Sequence, residues 1–207
     1  MASSWGVVVP VKRLALAKSR LSSYGDTARR SLALAFAADV VAAAVQAAGV
    51  SSVLVVTDDA AASEVLVRLG AQVVADDPDA GLNPALEHGA EMLRRRLPDL
   101  GVATLSADLP CLRPSELAAV LELVTPGSSG FVADHTGTGT TLLAAAGGAP
   151  LRPCYGPGSR AQHLASGAVE LMGAPGLRHD VDTPADLEAA VALGTGPHTA
   201  AAVAALP

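Results

Sequence analysis

The sequence predicts an α/β fold: one domain with a mostly parallel central sheet flanked by helices on both faces. Short, β-branched apolar runs recur at 5–11, 50–57, 71–75 and 101–105, and Ala/Leu-rich stretches of helical spacing lie between them. Gly49, Gly70 and the turn 76–81 punctuate that alternation. Right-handed crossovers make such a strand–helix–strand chain a compact layered assembly. A chain of 207 residues is long enough for one sizeable core, which places the domain at 1–194, with 195–207 expected as a flexible Ala/Gly-rich tail.

The first run ends at Pro10 and is followed by Val11-Lys12-Arg13 and then Ala17-Lys18-Ser19-Arg20-Leu21, a basic loop with room for a short helical turn. Lys12 and Lys18 are the only lysines, and arginine supplies every other fixed positive charge. Lys18 offers a mobile point charge to an anion and Arg20 a forked donor; a merely solvated basic loop is the competing reading. Asp26 is a candidate cap for a helix over 31–48, stopped by Gly49. A strand over 50–57 brings Thr57 and Asp58 toward the ligand edge, while Asp59 suits helix capping before 61–69. Asn83 and Pro84 read as cap and first residue of a helix through Leu97, although the same Asn amide suits a base or ribose.

The run 101–105 delivers Leu105-Ser106-Ala107-Asp108-Leu109-Pro110, the carboxyl end of a strand, where sheets of this class place their chemistry. Asp108 cannot be buried there alone and needs water, a donor or a cation. Far along the chain, Asp180-Val181-Asp182-Thr183-Pro184 carries two carboxylates that share one side if extended. Three hard oxygen ligands and a basic loop suit a divalent ion and phosphate chemistry. Between them, Asp134-His135-Thr136-Gly137-Thr138-Gly139-Thr140-Thr141 is either an anion-binding loop or a tight connection, and Gly156-Pro157-Gly158-Ser159 precedes a further helix, with Ser159 as its cap.

Composition excludes several classes. A formal charge of −6 argues against a nucleic-acid scaffold built on a broad basic surface. Cys111 and Cys154 form no CxxC pattern, and Cys111 reads as a packed residue rather than a nucleophile. No apolar segment reaches the roughly 18 residues of a membrane span and no secretory leader is evident, so a cytoplasmic location is expected. Neither GxxxxGK[ST] nor GxGxxG is present.

Taken in order, Val9-Pro10-Val11-Lys12, Ala17-Lys18-Ser19-Arg20-Leu21, Ser106-Ala107-Asp108-Leu109-Pro110, Gly137-Thr138-Gly139-Thr140-Thr141 and Asp180-Val181-Asp182-Thr183-Pro184 resemble the 2-phospho-L-lactate and phosphoenolpyruvate guanylyltransferase family of deazaflavin coenzyme (F-420) biosynthesis. The resemblance spans residues 5 to about 193. It implies a Rossmann-like nucleotidyltransferase fold, with Asp108, Asp180 and Asp182 around Mg2+ and Lys18 and Arg20 at the nucleotide phosphates. Lys12 and Asn83 join the nucleotide contacts, and Asn83 would serve the base or sugar. Thr140 or Thr141, with Gly156 and Ser159, would bind the acceptor.

The implied reaction joins GTP to a phosphorylated three-carbon acid and releases pyrophosphate. Phosphoenolpyruvate is expected as acceptor, with 2-phospho-L-lactate as the alternative and a downstream transferase as a possible recipient of the product. A molybdenum-cofactor nucleotidyltransferase fits less well, because Pro10-Val11-Lys12 replaces the glycine-rich opening of those enzymes. A nonenzymatic nucleotide-binding module is the reading from a different class. Oligomeric state is left open.

Overall fold

The computed structural model describes residues 4–77 and 79–206; residues 1–3 and 207, and Pro78 of the acidic turn, lie outside the described residues. A seven-stranded sheet runs in the order β3-β2-β1-β4-β6-β5-β7. Its strands are β1 Trp5–Pro10, β2 Val50–Val56, β3 Gln72–Val74, β4 Gly101–Leu105, β5 Ser129–Ala133, β6 Thr140–Ala145 and β7 Val169–Glu170. β1 pairs in parallel with both β2 and β4, whereas β6 runs antiparallel to β4 and β5. The mostly parallel sheet expected from the alternation is therefore present.

The helices are α1 Asp26–Gln46, α2 Ala60–Arg68, α3 Leu82–Arg96, α4 Pro114–Glu122, α5 Ser159–Ala165, α6 Pro175–Arg178, α7 Pro184–Leu193 and α8 Pro197–Ala204. Along β1, Val7 and Val9 enter one core with Ala37, Val40 and Val41 of α1, and Val8 enters a second core with Leu86, Ala90 and Leu93 of α3. Both faces are covered, which is why β1 and β2 read as continuous apolar runs rather than alternating ones. Gly89 lets α3 lie against the sheet: a β-carbon there would stand 2.6 Å from Val8 Cγ1 and 2.9 Å from Val56 Cγ2.

Several helix starts differ from the sequence expectation. Helix α1 begins at Asp26, whose side chain pairs with Arg29 instead of capping. Helix α3 begins at Leu82 after Gly81, so Asn83 sits inside its first turn, and α5 begins at Ser159 after Gly158. Asp59 does cap α2, accepting from the Ala62 amide at 3.0 Å. Thr183 forms a capping box with Asp186 at the start of α7. The largest departure is at the end of the chain. Residues 197–204 were expected within a flexible tail, yet they form α8 against α1. Buried Asp39 of α1 accepts from the amides of His198 at 3.0 Å and Thr199 at 2.8 Å. A carboxylate from a distant helix thus satisfies the two open donors, a partner that local sequence does not reveal.

Among the described residues no helix is long and apolar enough to cross a membrane.

Candidate active site

The chain leaves β1 toward β2 on one side and β4 toward β5 on the other, so it turns in opposite directions at the carboxyl ends of β1 and β4. Sheets of this class open a crevice at such a point. Here it is a cleft of about 410 Å3 lined by Lys12, Lys18, Arg20, Asp108, Tyr155 and Asp182, with an apolar wall that includes Leu82 and Leu86. Lys12, Lys18 and Arg20 come from the stretch after β1, Asp108 from the turn after β4, Tyr155 from the segment before α5 and Asp182 from the segment before α7.

Lys18 is the centre of the polar side. Its ammonium donates to Asp108 Oδ2 at 2.5 Å and to Asp182 Oδ1 at 2.7 Å, and its side chain is only 12% exposed. Burial pulls its pKa down, but the two carboxylates outweigh burial and hold it above the ordinary lysine value, so it is charged at neutral pH. Its backbone is left-handed, with φ 51° and ψ 47°. For a residue with a β-carbon that conformation costs about 1–2 kcal/mol, and here the two ion pairs and the loop packing sustain it. Arg20, largely exposed, stands 3.7 Å from Asp182 Oδ2.

The loop carrying Lys18 is fixed by Arg29, a residue for which the sequence reading proposed no role in the site. Its guanidinium donates to the carbonyls of Leu14 at 3.2 Å and Ala15 at 3.0 Å, and also to that of Ala17. A buried arginine in the first turns of a helix, just after a basic loop, is a faint sequence signal; the carbonyls it grips are visible only in the fold.

Asp108 and the Asp180/Asp182 segment are neighbours through the backbone as well, since the Val181 amide donates to the Asp108 carbonyl at 3.0 Å. Asp108 Oδ1 is buried without a hydrogen-bond partner. Asp180 lies beside the cleft lining, where burial first and the charge of Asp108 second push its carboxyl up to about 6. Among the described residues the acidic and imidazole groups do not already stand as a three-ligand metal cluster, because the Lys18 ammonium sits between Asp108 and Asp182. The donors are nonetheless hard oxygens, one of them orphaned and one destabilised by a like charge. That chemistry fits a divalent cation.

A family model described as "Guanylyl transferase CofC like" matches residues 5–201. The chain belongs to this CofC-like family. It is 54% identical over 206 residues to a phosphoenolpyruvate guanylyltransferase of Thermomonospora curvata, covering 99% of this chain and 90% of that protein. It is 57% identical over 205 residues to one of Streptomyces avermitilis, covering 98% and 95%. Among solved structures, a putative nucleotide-diphospho-sugar transferase of Desulfovibrio desulfuricans superposes with a TM-score of 0.67 at 14% identity, covering 87% of this chain and 83% of that one. A nucleotidyl transferase of Methanothermobacter superposes at 0.66 with 22% identity, covering 92% and 97%. At those identities the likeness shows the fold, which is that of nucleotidyltransferases.

The remaining predicted positions of this CofC-like chain fall outside the cleft lining. The Asn83 amide is engaged with the backbone of Tyr155, accepting from its N–H at 2.8 Å and donating to its carbonyl at 3.1 Å. Tyr155 in turn lines the cleft and donates its hydroxyl to the Thr104 carbonyl at 3.1 Å, so Asn83 fixes a wall of the site. Thr140 and Ser159 are buried: the Ser159 hydroxyl meets Thr140 Oγ1 at 3.1 Å, and Thr140 Oγ1 lies 2.9 Å from His163 Nδ1. Because His163 Nε2 accepts from the Cys154 amide at 3.0 Å, its Nδ1 carries the proton and donates to Thr140. Thr141, also buried, donates to the Leu177 carbonyl at 2.7 Å. Gly156 is exposed, and among the described residues neither its amide nor that of Gly158 has a backbone partner.

The Gly/Thr run is the turn of the β5–β6 hairpin. Asp134 organises it by accepting from the Thr138 amide at 2.9 Å and the Thr136 hydroxyl at 3.0 Å. The tight-connection reading describes residues 134–139 here. Cys111 is buried, donates to the Ala190 carbonyl and has its thiol pushed up to about 11 by burial, which suits packing and not nucleophilic attack.

Proposed function

We propose that this chain transfers GMP from GTP to phosphoenolpyruvate, releasing pyrophosphate and forming enolpyruvoyl-2-diphospho-5'-guanosine. The observation that carries the proposal is the Lys18 ammonium held between Asp108 and Asp182 in a cleft that also presents Lys12 and Arg20. Membership in the CofC-like family and the names of the relatives support the choice of guanine nucleotide and acceptor.

The acceptor's phosphate is already anionic at neutral pH, so it needs no general base. One of its oxygens attacks the α-phosphorus of GTP in line; a new P–O bond forms, and the bond to the β-phosphate oxygen breaks, with pyrophosphate taking the electron pair. Two polyanions must approach one another, so charge compensation dominates the barrier. Lys12, Lys18 and Arg20 offset charge on the triphosphate and the departing pyrophosphate, while Asn83 and Tyr155 shape the wall against which the nucleotide is aligned. Asp108, Asp180 and Asp182 would hold Mg2+, which when bound screens phosphate charge and polarises the phosphorus. Exposed amides at Gly156 and Gly158 are suited to the acceptor's carboxylate, with Thr140, Thr141 and Ser159 shaping the loop from beneath. The product carries a phosphoanhydride and is a substrate for a transferase downstream.

The test is a matrix of GTP, ATP, CTP and UTP against phosphoenolpyruvate and both phospholactate enantiomers, reading pyrophosphate and coupled product with and without Mg2+. Fast release confined to GTP with phosphoenolpyruvate and Mg2+ is expected. Preference for a phospholactate would replace the acceptor, and nucleotide binding without pyrophosphate release from any pair would replace the enzyme by a binding module.

A further inference from the structure

Outside the cleft, His135 at the start of the β5–β6 turn joins several groups around the Asp180 segment. Its Nδ1 lies 3.1 Å from Asp180 Oδ1 and its Nε2 lies 3.8 Å from Asp186 Oδ1. The ring lies against His179 in a tilted arrangement, with centroids 4.7 Å apart and planes at 37°. His179 is itself fixed, donating from Nε2 to the Asp186 carbonyl at 2.9 Å. The turn is gripped from the other side by Arg178, which donates to the carbonyls of Ala133 at 3.2 Å and Asp134 at 2.8 Å. Asp186 in turn accepts from the amides of Asp182 at 3.1 Å and Thr183 at 2.7 Å. One frame thus holds the side chain of Asp180 and the backbone of Asp182.

We propose that His135 is a positioning residue: by donating from Nδ1 to Asp180 Oδ1, it fixes the rotamer of Asp180 so that Oδ2 is the oxygen offered to a divalent cation. A carboxylate on an extended segment swings freely about two torsions, and a donor on one oxygen removes that freedom before the ligand arrives. Partners of this kind commonly govern metal affinity by one to two orders of magnitude. This inference rests on the reading of Asp180 as a metal ligand given above.

Mn2+ binding to the full chain, followed by the electron paramagnetic resonance of free Mn2+ without nucleotide, tests it independently of turnover. His135→Phe keeps a ring against His179 but removes the donor, and about tenfold weaker Mn2+ binding is expected. In His135→Asn the amide nitrogen takes nearly the place of Nδ1, so binding within roughly threefold of wild type is expected on the same basis. In an Asp180→Asn background His135→Phe should add nothing further, which a general structural role would not produce. Unchanged affinity in His135→Phe, while Asp180→Asn weakens binding, overturns the role of His135 and leaves the metal reading standing. Unchanged affinity in Asp180→Asn, or no Mn2+ binding by the wild type, overturns both. A loss that persists in full in the double variant shows that His135 acts elsewhere and overturns the proposal alone.

Discussion

At the scale of single residues the site is a problem in charge balance. Lys18 compensates Asp108 and Asp182 in a place only partly open to water, and removing one member of such a set leaves the others uncompensated, which costs more than a surface ion pair would. Lys18→Met and Asp108→Asn should therefore each lower kcat for pyrophosphate release by about 100-fold or more while the far-ultraviolet circular dichroism stays native. Retention of most of the turnover in either variant removes that residue from the machinery. His163 makes a different prediction. Enclosure lowers its pKa below 6.5, and its Nε2 is committed as an acceptor to the Cys154 amide. The neutral ring is the folded form, so its contribution to stability is complete above pH 6.5 and is lost as pH falls from there toward the lowered folded-state value. Melting temperatures of wild type should decline over that interval, with a shallower decline in His163→Asn, whose amide does not titrate.

At the scale of elements, the basic loop is positioned by a helix that contributes no ligand of its own. The sequence suggested a loop with a helical turn at 11–21, and a 3-10 turn is found at Ser19–Tyr24, but the loop's carbonyls are held by Arg29 in α1. Its buried guanidinium answers carbonyls that would otherwise lack donors, each such bond to a charged group contributing roughly 1.5–3 kcal/mol. Arg29→Met is expected to lower stability by roughly 3 kcal/mol and to raise KM for GTP more than it lowers kcat, since Lys18 remains but its loop loosens. A kinetic profile in which only kcat falls would contradict that division. The hairpin β5–β6 shows the same logic: the threonines that suggested anion binding instead satisfy the Asp134 carboxylate, the Gly137 amide donates to the Asp134 carbonyl, and the turn presents His135 toward Asp180.

At the scale of the whole molecule, the cleft is a consequence of where the chain changes direction. Because the chain leaves β1 toward β2 and β4 toward β5 on the opposite side, the two connections part at the carboxyl ends of β1 and β4 and leave the cleft between them. Helix α8 closes the molecule on the far side of α1 through Asp39. Asp39→Ala removes the acceptor for two amides and should cost about 2 kcal/mol, seen as a fall of roughly 4–8 °C in Tm. Turnover per folded molecule at 25 °C is expected to stay near that of wild type, because Asp39 does not reach the cleft. An unchanged Tm would show that α8 contributes nothing to the stability of the body.

Parallel strands, the placement of Asp108 at a strand end and the family resemblance were readable from the chain alone, because apolar period, turn residues and ordered short motifs are local properties. Lys18, Arg20, Asp108 and Asp182 were legible for the same reason: charged residues at element ends, with no local partner to absorb them. It took the folded chain to show that Asn83 braces Tyr155, that Thr140, Thr141 and Ser159 are buried, that Arg29 grips the carbonyls of the basic loop, that His135 meets Asp180 and that residues 197–204 form a docked helix. Each of those outcomes depends on a partner beyond the local turn, from 12 residues away for Arg29 and Ala17 to 160 for Thr199 and Asp39. A polar side chain takes whichever donor or acceptor the fold brings within about 3 Å, and sequence neighbours carry no record of that distance.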